Sequence, residues 1–384
     1  MHIQQHPLIP ATPGQSSTLT SLHYGPDDAA TTVYIQASLH ADELPGMLVA
    51  HHLRGLLDAA EAAGRLRGRV VLVPMANPLG LAQTLLHSQL GRFDLASGEN
   101  FNRRYPQFAP DLAQDEALLA ALGADAAANR TAVRAAVARW LDAHPPVTQL
   151  QSLRHTLMRL SHAADVVLDL HCDFQAAMHL YTEPACTDTL LPLAALLGAR
   201  AVLVAEGSGG LCFDEVLSGL WWQLARELSG RYGADWLAQR PIPQGCASTT
   251  VELRGQCDVS HALAQPDAAA IFRYLVHLGV VQAVGDEAPL PELPCTPTPL
   301  TGSEDLSAPH GGVVAYLKEP GDEIFPGDVV AEVIDPVSGR TSPVVSQNRG
   351  VLYARHGLRW ATTGMDLGKV SGAIPRRSGY LLTA

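Results

Sequence analysis

The chain has 384 residues, 47% of them hydrophobic and 17% charged, so it is long enough for two domains, can bury large cores, and is not globally disordered. Its formal net charge of −12 argues against non-specific binding to nucleic acid or to an anionic membrane surface. The first residues show no basic stretch leading into an apolar one, no run reaches the ~18 apolar residues of a membrane span, and the six cysteines form neither a CxxC pair nor a disulfide framework, so a reduced, cytoplasmic protein is expected.

"TTVYIQASL" (31–39) reads as a buried strand. "GMLVAHHLRGLLDAAEAAG" follows with helical spacing, Leu48, His52 and Leu56 falling four apart and Gly64 supplying a C-cap. "GRVVLVPMAN" (68–77) is a second buried strand. Two Ala/Leu-rich helical segments come next, "DEALLAALGADAAANRTAVRAAVARWLDA" and "VTQLQSLRHTLMRLSHA". Further strands are "DVVLDL" (165–170), "ARAVLVA" (199–205) and "STTVEL" (248–253). Strands alternating with helices predict an α/β domain around a mostly parallel mixed sheet.

The composition changes near residue 285, where a proline-rich stretch reads as a linker to about 303. Beyond it lie short, glycine-punctuated β pieces with no long helical period. We therefore expect a catalytic domain over 1–290 and a small all-β domain over 303–384. Within "EPGDEIFPGD", Pro-Gly-Asp occurs twice, as two tight turns. This tail resembles the barrel-sandwich fold of biotinyl and lipoyl carrier domains. Those carriers need an exposed lysine in a hairpin, but the equivalent region here, "DPVSGRTSPVV", has none. A structural or gating role is expected, without a swinging cofactor.

The polar residues at strand ends carry the chemistry, because ligands of α/β sheets gather beyond the carboxyl ends of the strands. The first strand ends at His40, with Glu43 in the turn; "DVVLDLH" ends at His171; "STTVELRG" carries Glu252. Two histidines and a glutamate with an open fourth position suit catalytic zinc, one ion per chain. Zinc lowers the pKa of its water toward neutrality, so hydroxide becomes available as a nucleophile. Glu252 would take the water's proton and pass it to the leaving amine. Each signal alone has a blander reading: a polar turn for His40 and Glu43, a hydrogen-bonded structural residue for His171, a strand-end ion pair for Glu252. Their joint placement at three strand ends favours the metal site.

In order, "SLHADELPG", "VPMANPLG", "GENFNRRYP", "VLDLHCD" and "STTVELRG" resemble the succinylglutamate desuccinylase/aspartoacylase family of the zinc-carboxypeptidase-like superfamily, over residues 30–280. The resemblance implies His40, Glu43 and His171 as zinc ligands and Glu252 as general base and acid. It implies Asn102 and Arg103 as the pair gripping a substrate carboxylate, a task suited to a bidentate guanidinium. It implies Arg92 as the group that polarises the scissile carbonyl and holds the oxyanion. Arg104 is expected to point elsewhere.

Some neighbours keep two readings. Asp169 shares a strand face with His171 and either orients it or makes a salt bridge. Asn77 lines the site or forms a turn before Pro78. His179 follows the "DLH" strand closely enough to sit near the site. Alternation turns Cys172 to the opposite face. The loop 205–215 is expected to shape the specificity pocket, with Phe213 or Asp214 in contact, and "WWQLARE" to face the core.

The resulting expectation is a zinc-dependent hydrolase, cleaving the amide of an N-acyl amino acid or a related small acid. It has a small-molecule partner, no nucleic acid and no membrane, and its β tail could support a homo-oligomer. The alternatives are a metallocarboxypeptidase acting on short peptides and a non-catalytic binding or carrier protein built on the β tail.

Overall fold

The structure is a computed structural model that describes residues 1–286 and 288–382. Glu287, inside the expected linker, and residues 383 and 384 of the expected β domain lie outside the described residues.

One nine-stranded sheet organises the larger part of the molecule. In chain order its strands are β1 (His2–Pro7), β2 (Thr18–Tyr24), β3 (Thr32–Ala37), β4 (Arg69–Val73), β5 (Val166–Asp173), β6 (His179–Thr182), β7 (Ala201–Val204), β8 (Ala247–Gly255) and β9 (Thr298–Pro299). Across the sheet they run β1-β2-β4-β3-β5-β8-β6-β7-β9. The central pairs β4–β3, β3–β5 and β5–β8 are parallel, whereas β1–β2, β2–β4 and β8–β6 are antiparallel.

Alternation along the central strands builds a core on each face. Val33, Ile35, Leu168 and Leu170 pack under helices α1 (Pro45–Ala62), α4 (Thr187–Leu197) and α6 (His261–His277). Tyr34, Val71, Val73 and Val167 face the other way, toward α2 (Ala126–Ala143), α3 (Gln149–Ser161) and α5 (Phe213–Tyr232). Strands buried on both faces explain the near-continuous apolar runs in the sequence.

Three local expectations shift. The buried stripe of α1 is Val49, Leu53, Leu57 and Ala60, one position on from Leu48, His52 and Leu56. The helix does stop as expected, with Gly64 left-handed just beyond it (φ +66°). The Ala-rich segment is two helices, Glu116–Ala121 and α2, because the Asp125 carboxylate caps a fresh start at Ala127 and Ala128. The antiparallel β1–β2 edge and the short β6 carry too little apolar periodicity to stand out in the sequence.

Beyond β9 the chain is all-β. One sheet contains Glu304–Ser307, Asp366–Val370, Gly350–Arg355 and Glu323–Ile324; the other contains Thr341–Val345, Val329–Ile334, Gly312–Tyr316 and Trp360–Ala361. Val314, Ile324, Val330, Val333 and Leu352 are buried in their common core. The two Pro-Gly-Asp copies make the same turn. Gly321 and Gly327 take φ of +98° and +95°, and the Asp322 and Asp328 carboxylates accept from the backbone N–H of Glu319 and Phe325.

The β region docks firmly on the α/β part. Gln175–Ala176, just after β5, adds as a strand beside Gly350–Arg355. Tyr181, Leu203, Leu300 and Tyr353 form a shared apolar cluster.

Candidate metal centre and active site

The site lies at the carboxyl ends of β3, β5 and β8, three neighbouring parallel strands. Their register sets Glu252 beside His171 and Leu170 beside Ala37. After β3 the chain turns sharply through Ser38, whose φ is +60°, and the Ser38 hydroxyl donates to the Glu43 carbonyl (2.6 Å). The turn closes with the Glu43 N–H donating to the His40 carbonyl (3.1 Å), so both side chains face inward. Gly46 lets α1 start tight against the sheet. A Cβ there would lie 3.1 Å from those of Ala37 and Leu170. Gly91 lets a second loop approach, since a Cβ there would collide with the Asp42 backbone; this close contact delivers Arg92.

The Glu43 carboxylate stands between the two imidazoles, Oε1 at 2.9 Å from His40 Nδ1 and Oε2 at 2.7 Å from His171 Nδ1. The candidate ligand atoms of the three residues all lie within 4.8 Å of one another, and all three side chains are buried. The outer ring nitrogens are also engaged. His40 Nε2 is 2.8 Å from Asn100 Oδ1; His171 Nε2 is 3.0 Å from Asp169 Oδ2, a charge contact without hydrogen-bond alignment, and 3.4 Å from Asn102 Nδ2. The Asn100 oxygen places the His40 ring proton on Nε2 and leaves its Nδ1 lone pair toward the cluster, whereas His171, held between Asp169 and Glu43, carries its charge in the cation-free cluster and would free Nδ1 on binding a metal. Two imidazoles and a carboxylate whose ligand atoms lie so close together are a donor set that fits a divalent metal.

Charge balance agrees. Burial alone would raise the Glu43 carboxyl, but the two imidazoles outweigh it and hold it well below the usual range. Burial and the neighbouring Arg92 push His40 down to about 4. Burial works against the charged form of His171, yet Asp169 and Glu43 raise it well above the ordinary value. Asp169 is itself steadied by Gln36, whose amide donates to Oδ1 (2.9 Å). Asp169→Asn is expected to weaken metal affinity by about 10–100-fold, as loss of an orienting partner does, measured by competition with a chelator. Unchanged affinity would leave Asp169 a purely structural strand residue.

A small cavity of about 60 Å³ is lined by His40, Glu43, Arg92, Asn102, Arg103, His171 and Glu252, so every candidate residue read from the sequence meets at one place. Arg92 Nη1 lies 3.1 Å from His40 Nδ1 and 3.2 Å from Glu43 Oε1. Asn102 is fixed from both sides: its Oδ1 accepts from the Phe213 N–H (2.8 Å), and its own N–H donates to Asn100 Oδ1 (2.8 Å). Arg103 donates to the Asn102 carbonyl (2.8 Å) and lies 3.3 Å from Cys212 Sγ. Arg104 leaves the site; it is left-handed (φ +60°) and pairs with Glu99 at the surface. Glu252 has one carboxylate oxygen, Oε2, buried without a partner among the described residues. Burial, then the charge of Glu43, pushes its carboxyl up to about 8.

Other neighbours resolve as follows. Asn77 caps the short helix Pro78–Leu81 and donates to the Leu39 carbonyl (2.8 Å), bracing the strand that leads to His40. His179 is buried opposite Glu252 in the register and binds the Ala177 carbonyl through Nδ1. Cys172 borders the cavity despite alternation, and its N–H donates to Glu43 Oε2 (3.1 Å); burial holds its thiol well above the usual value, in the inert protonated form. Phe213 belongs to the core, while Asp214 lines the cavity. Trp221 is buried, but Trp222 stands on the wall of a neighbouring cavity.

Sequence reasoning missed Lys369. It sits on Asp366–Val370 of the β region, lines the same cavity, and lies 3.6 Å from Asp173 Oδ2. Burial opposes its charge, but Asp173 and its neighbours win and raise it. A signal existed: Lys369 is one of only two lysines in the chain.

The mostly parallel sheet, with a buried His-Glu-His cluster beyond its carboxyl edge, defines an α/β protein with a candidate metal centre. Residues 29–278 match the succinylglutamate desuccinylase/aspartoacylase catalytic domain, and the chain belongs to that family. Among solved structures it is similar to a succinylglutamate desuccinylase/aspartoacylase family protein of Shewanella amazonensis SB2B, at 28% identity and a TM-score of 0.81, covering 97% of this chain and 98% of that one. A counterpart from Shewanella frigidimarina NCIMB 400 has 24% identity and a TM-score of 0.81, with 97% of each chain covered. The ectoine utilization protein EutE (DoeB) of Ruegeria pomeroyi shares the fold at 15% identity and a TM-score of 0.65, covering 96% of this chain and 95% of that one. No curated protein matches the chain. No helix among the described residues is long and apolar enough to cross a membrane.

Proposed function

We propose that the protein is a zinc-dependent deacylase that hydrolyses the amide bond of an N-acyl amino acid or a related small acid. The observation that carries this reading is the meeting of His40, Glu43 and His171 with Arg92, Asn102, Arg103 and Glu252 around one cavity. A divalent ion held by His40, Glu43 and His171 supplies Lewis acidity toward the acyl carbonyl and a water made nucleophilic near neutral pH.

The chain's own residues supply the rest. Arg92, within reach of the cluster, donates to the oxygen of the scissile carbonyl as negative charge develops there. Asn102 and Arg103 hold the carboxylate of the substrate and so fix the amide over the cluster. Glu252 accepts a proton from the attacking water and returns it to the amide nitrogen, so that the C–N bond breaks to give a carboxylic acid and a free amine. Lys369 adds positive charge to the wall, which gives the β region a part in the pocket.

The test is hydrolysis of a panel of N-acetyl, N-succinyl and other N-acyl amino acids by zinc-replete protein, followed by release of the free amine. We expect release from at least one member, its loss after chelation and its return with zinc. Faster cleavage of C-terminal residues from short peptides would instead mark a metallocarboxypeptidase. Zinc-loaded protein that cleaves neither class would leave a binding protein, a reading that the missing hairpin lysine does not favour.

A further inference from the structure

A second, larger cavity of about 490 Å³ adjoins the catalytic one and shares Glu215 with it. Its wall carries four carboxylates, Glu183, Glu206, Glu215 and Glu227, against a single cation, Arg226. Arg226 is drawn aside over the ring of Trp222, 4.8 Å from its centroid. Phe108, Val216 and Leu220 give the same cavity an apolar strip.

Glu183 is the telling residue. It is 2% exposed, yet its Oε1 has no hydrogen-bond partner among the described residues. Its Oε2 accepts from Trp222 Nε1, at 3.2 Å, and the Ser218 hydroxyl stands close to the same carboxyl. Gly219 keeps the space in front open, since a Cβ there would lie 3.1 Å from Oε1. Burial raises its carboxyl to about 8, so it sits in that cavity as a carboxyl lacking a counter-charge. Glu215 accepts from the Ser208 N–H (2.8 Å) and is thereby held at the junction of the two cavities, with Asp214 beside it on the catalytic side.

A buried carboxyl oxygen without a partner is costly unless a ligand supplies a donor. We propose that this outer cavity is a subsite for a cationic group, an ammonium or guanidinium at the end of an aliphatic arm on the amine half of the substrate. The methylenes of the arm lie along Phe108, Val216 and Leu220, and the cation reaches Glu183 and Glu215. This assignment rests on the deacylase reading and narrows it to N-acyl derivatives of basic amino acids.

The experiment measures binding of the free products L-lysine, L-norleucine and L-glutamate to zinc-loaded protein by calorimetry, beside turnover of their N-acyl derivatives. Lysine and norleucine match in shape over most of the arm and differ in the terminal charge. We expect lysine to bind at least tenfold more tightly than norleucine and glutamate to bind least. Glu183→Gln should reduce the lysine-to-norleucine ratio toward one, and Glu206→Gln, at the rim, should reduce it less. The ratio cancels any general loss of folded protein. Lysine binding no better than norleucine, or an undiminished ratio in Glu183→Gln, would overturn the subsite. A lysine preference lost in Glu183→Gln, without hydrolysis of any N-acyl derivative, upholds the subsite and removes the deacylase reading instead.

Discussion

Glu252→Gln is expected to lower kcat by roughly 10²–10⁴-fold, the contribution typical of a positioned general acid–base, while the protein keeps one zinc ion per chain. The amide is close in size to the carboxyl and preserves packing on β8, but it cannot take up the proton of the attacking water. Glu252 stands beside His171 in the register but is not among the three clustered ligands, so metal content should survive. The value of about 8 that burial and Glu43 impose belongs to the cation-free pocket. A divalent charge beside it pulls the carboxyl down toward the ionised form that a base requires. Kinetics and metal analysis on the same sample decide the matter. Near-normal turnover in Glu252→Gln would remove its role.

His171→Ala is expected to reduce bound zinc from one per chain to near zero and to abolish turnover. Three protein ligands are the usual minimum for a catalytic zinc site, and this change leaves two. It also takes from the buried Glu43 Oε2 its 2.7 Å charged partner and leaves it the Cys172 N–H at 3.1 Å. A buried charge that loses its partner costs roughly 3–5 kcal/mol, so the metal-free variant should also melt earlier than metal-free wild type. His40→Ala should lose zinc likewise, and Arg92 still reaches Glu43 Oε1 in both variants. Zinc bound by both variants as tightly as by wild type would refute the ligand assignment.

Much of this site was legible because its residues stand at the ends of apolar runs. β3, β5 and β8 are buried on both faces, so each reads as a strand, and the polar residue that closes each run is conspicuous: His40, His171, Glu252. The residues around them were less visible for physical reasons. Asn100 reaches His40 from a loop without periodicity, and its contact spans 60 residues. Asp169 had two equal readings until the position of His171 Nε2 favoured one. The shift of the buried stripe on α1 follows from an Ala-rich helix in which several faces are apolar enough to be buried. Glu183 was invisible, because a carboxylate after a strand acquires meaning only from what packs against it, and Lys369 offered only its rarity as a signal.

The strand that carries Lys369 has a consequence for how the protein comes into being. The catalytic cavity is lined both by position 43 and by position 369, so the pocket depends on parts of the chain far apart in sequence. Contacts of such long sequence separation form late, since closing a long loop costs entropy before any contact repays it. During synthesis the ligands His40, Glu43 and His171 emerge long before the β region that encloses them. The Gln175–Ala176 edge waits unpaired until Gly350–Arg355 is made. The catalytic pocket is therefore complete only once the last β strands are made and docked, because Lys369 lines it from there.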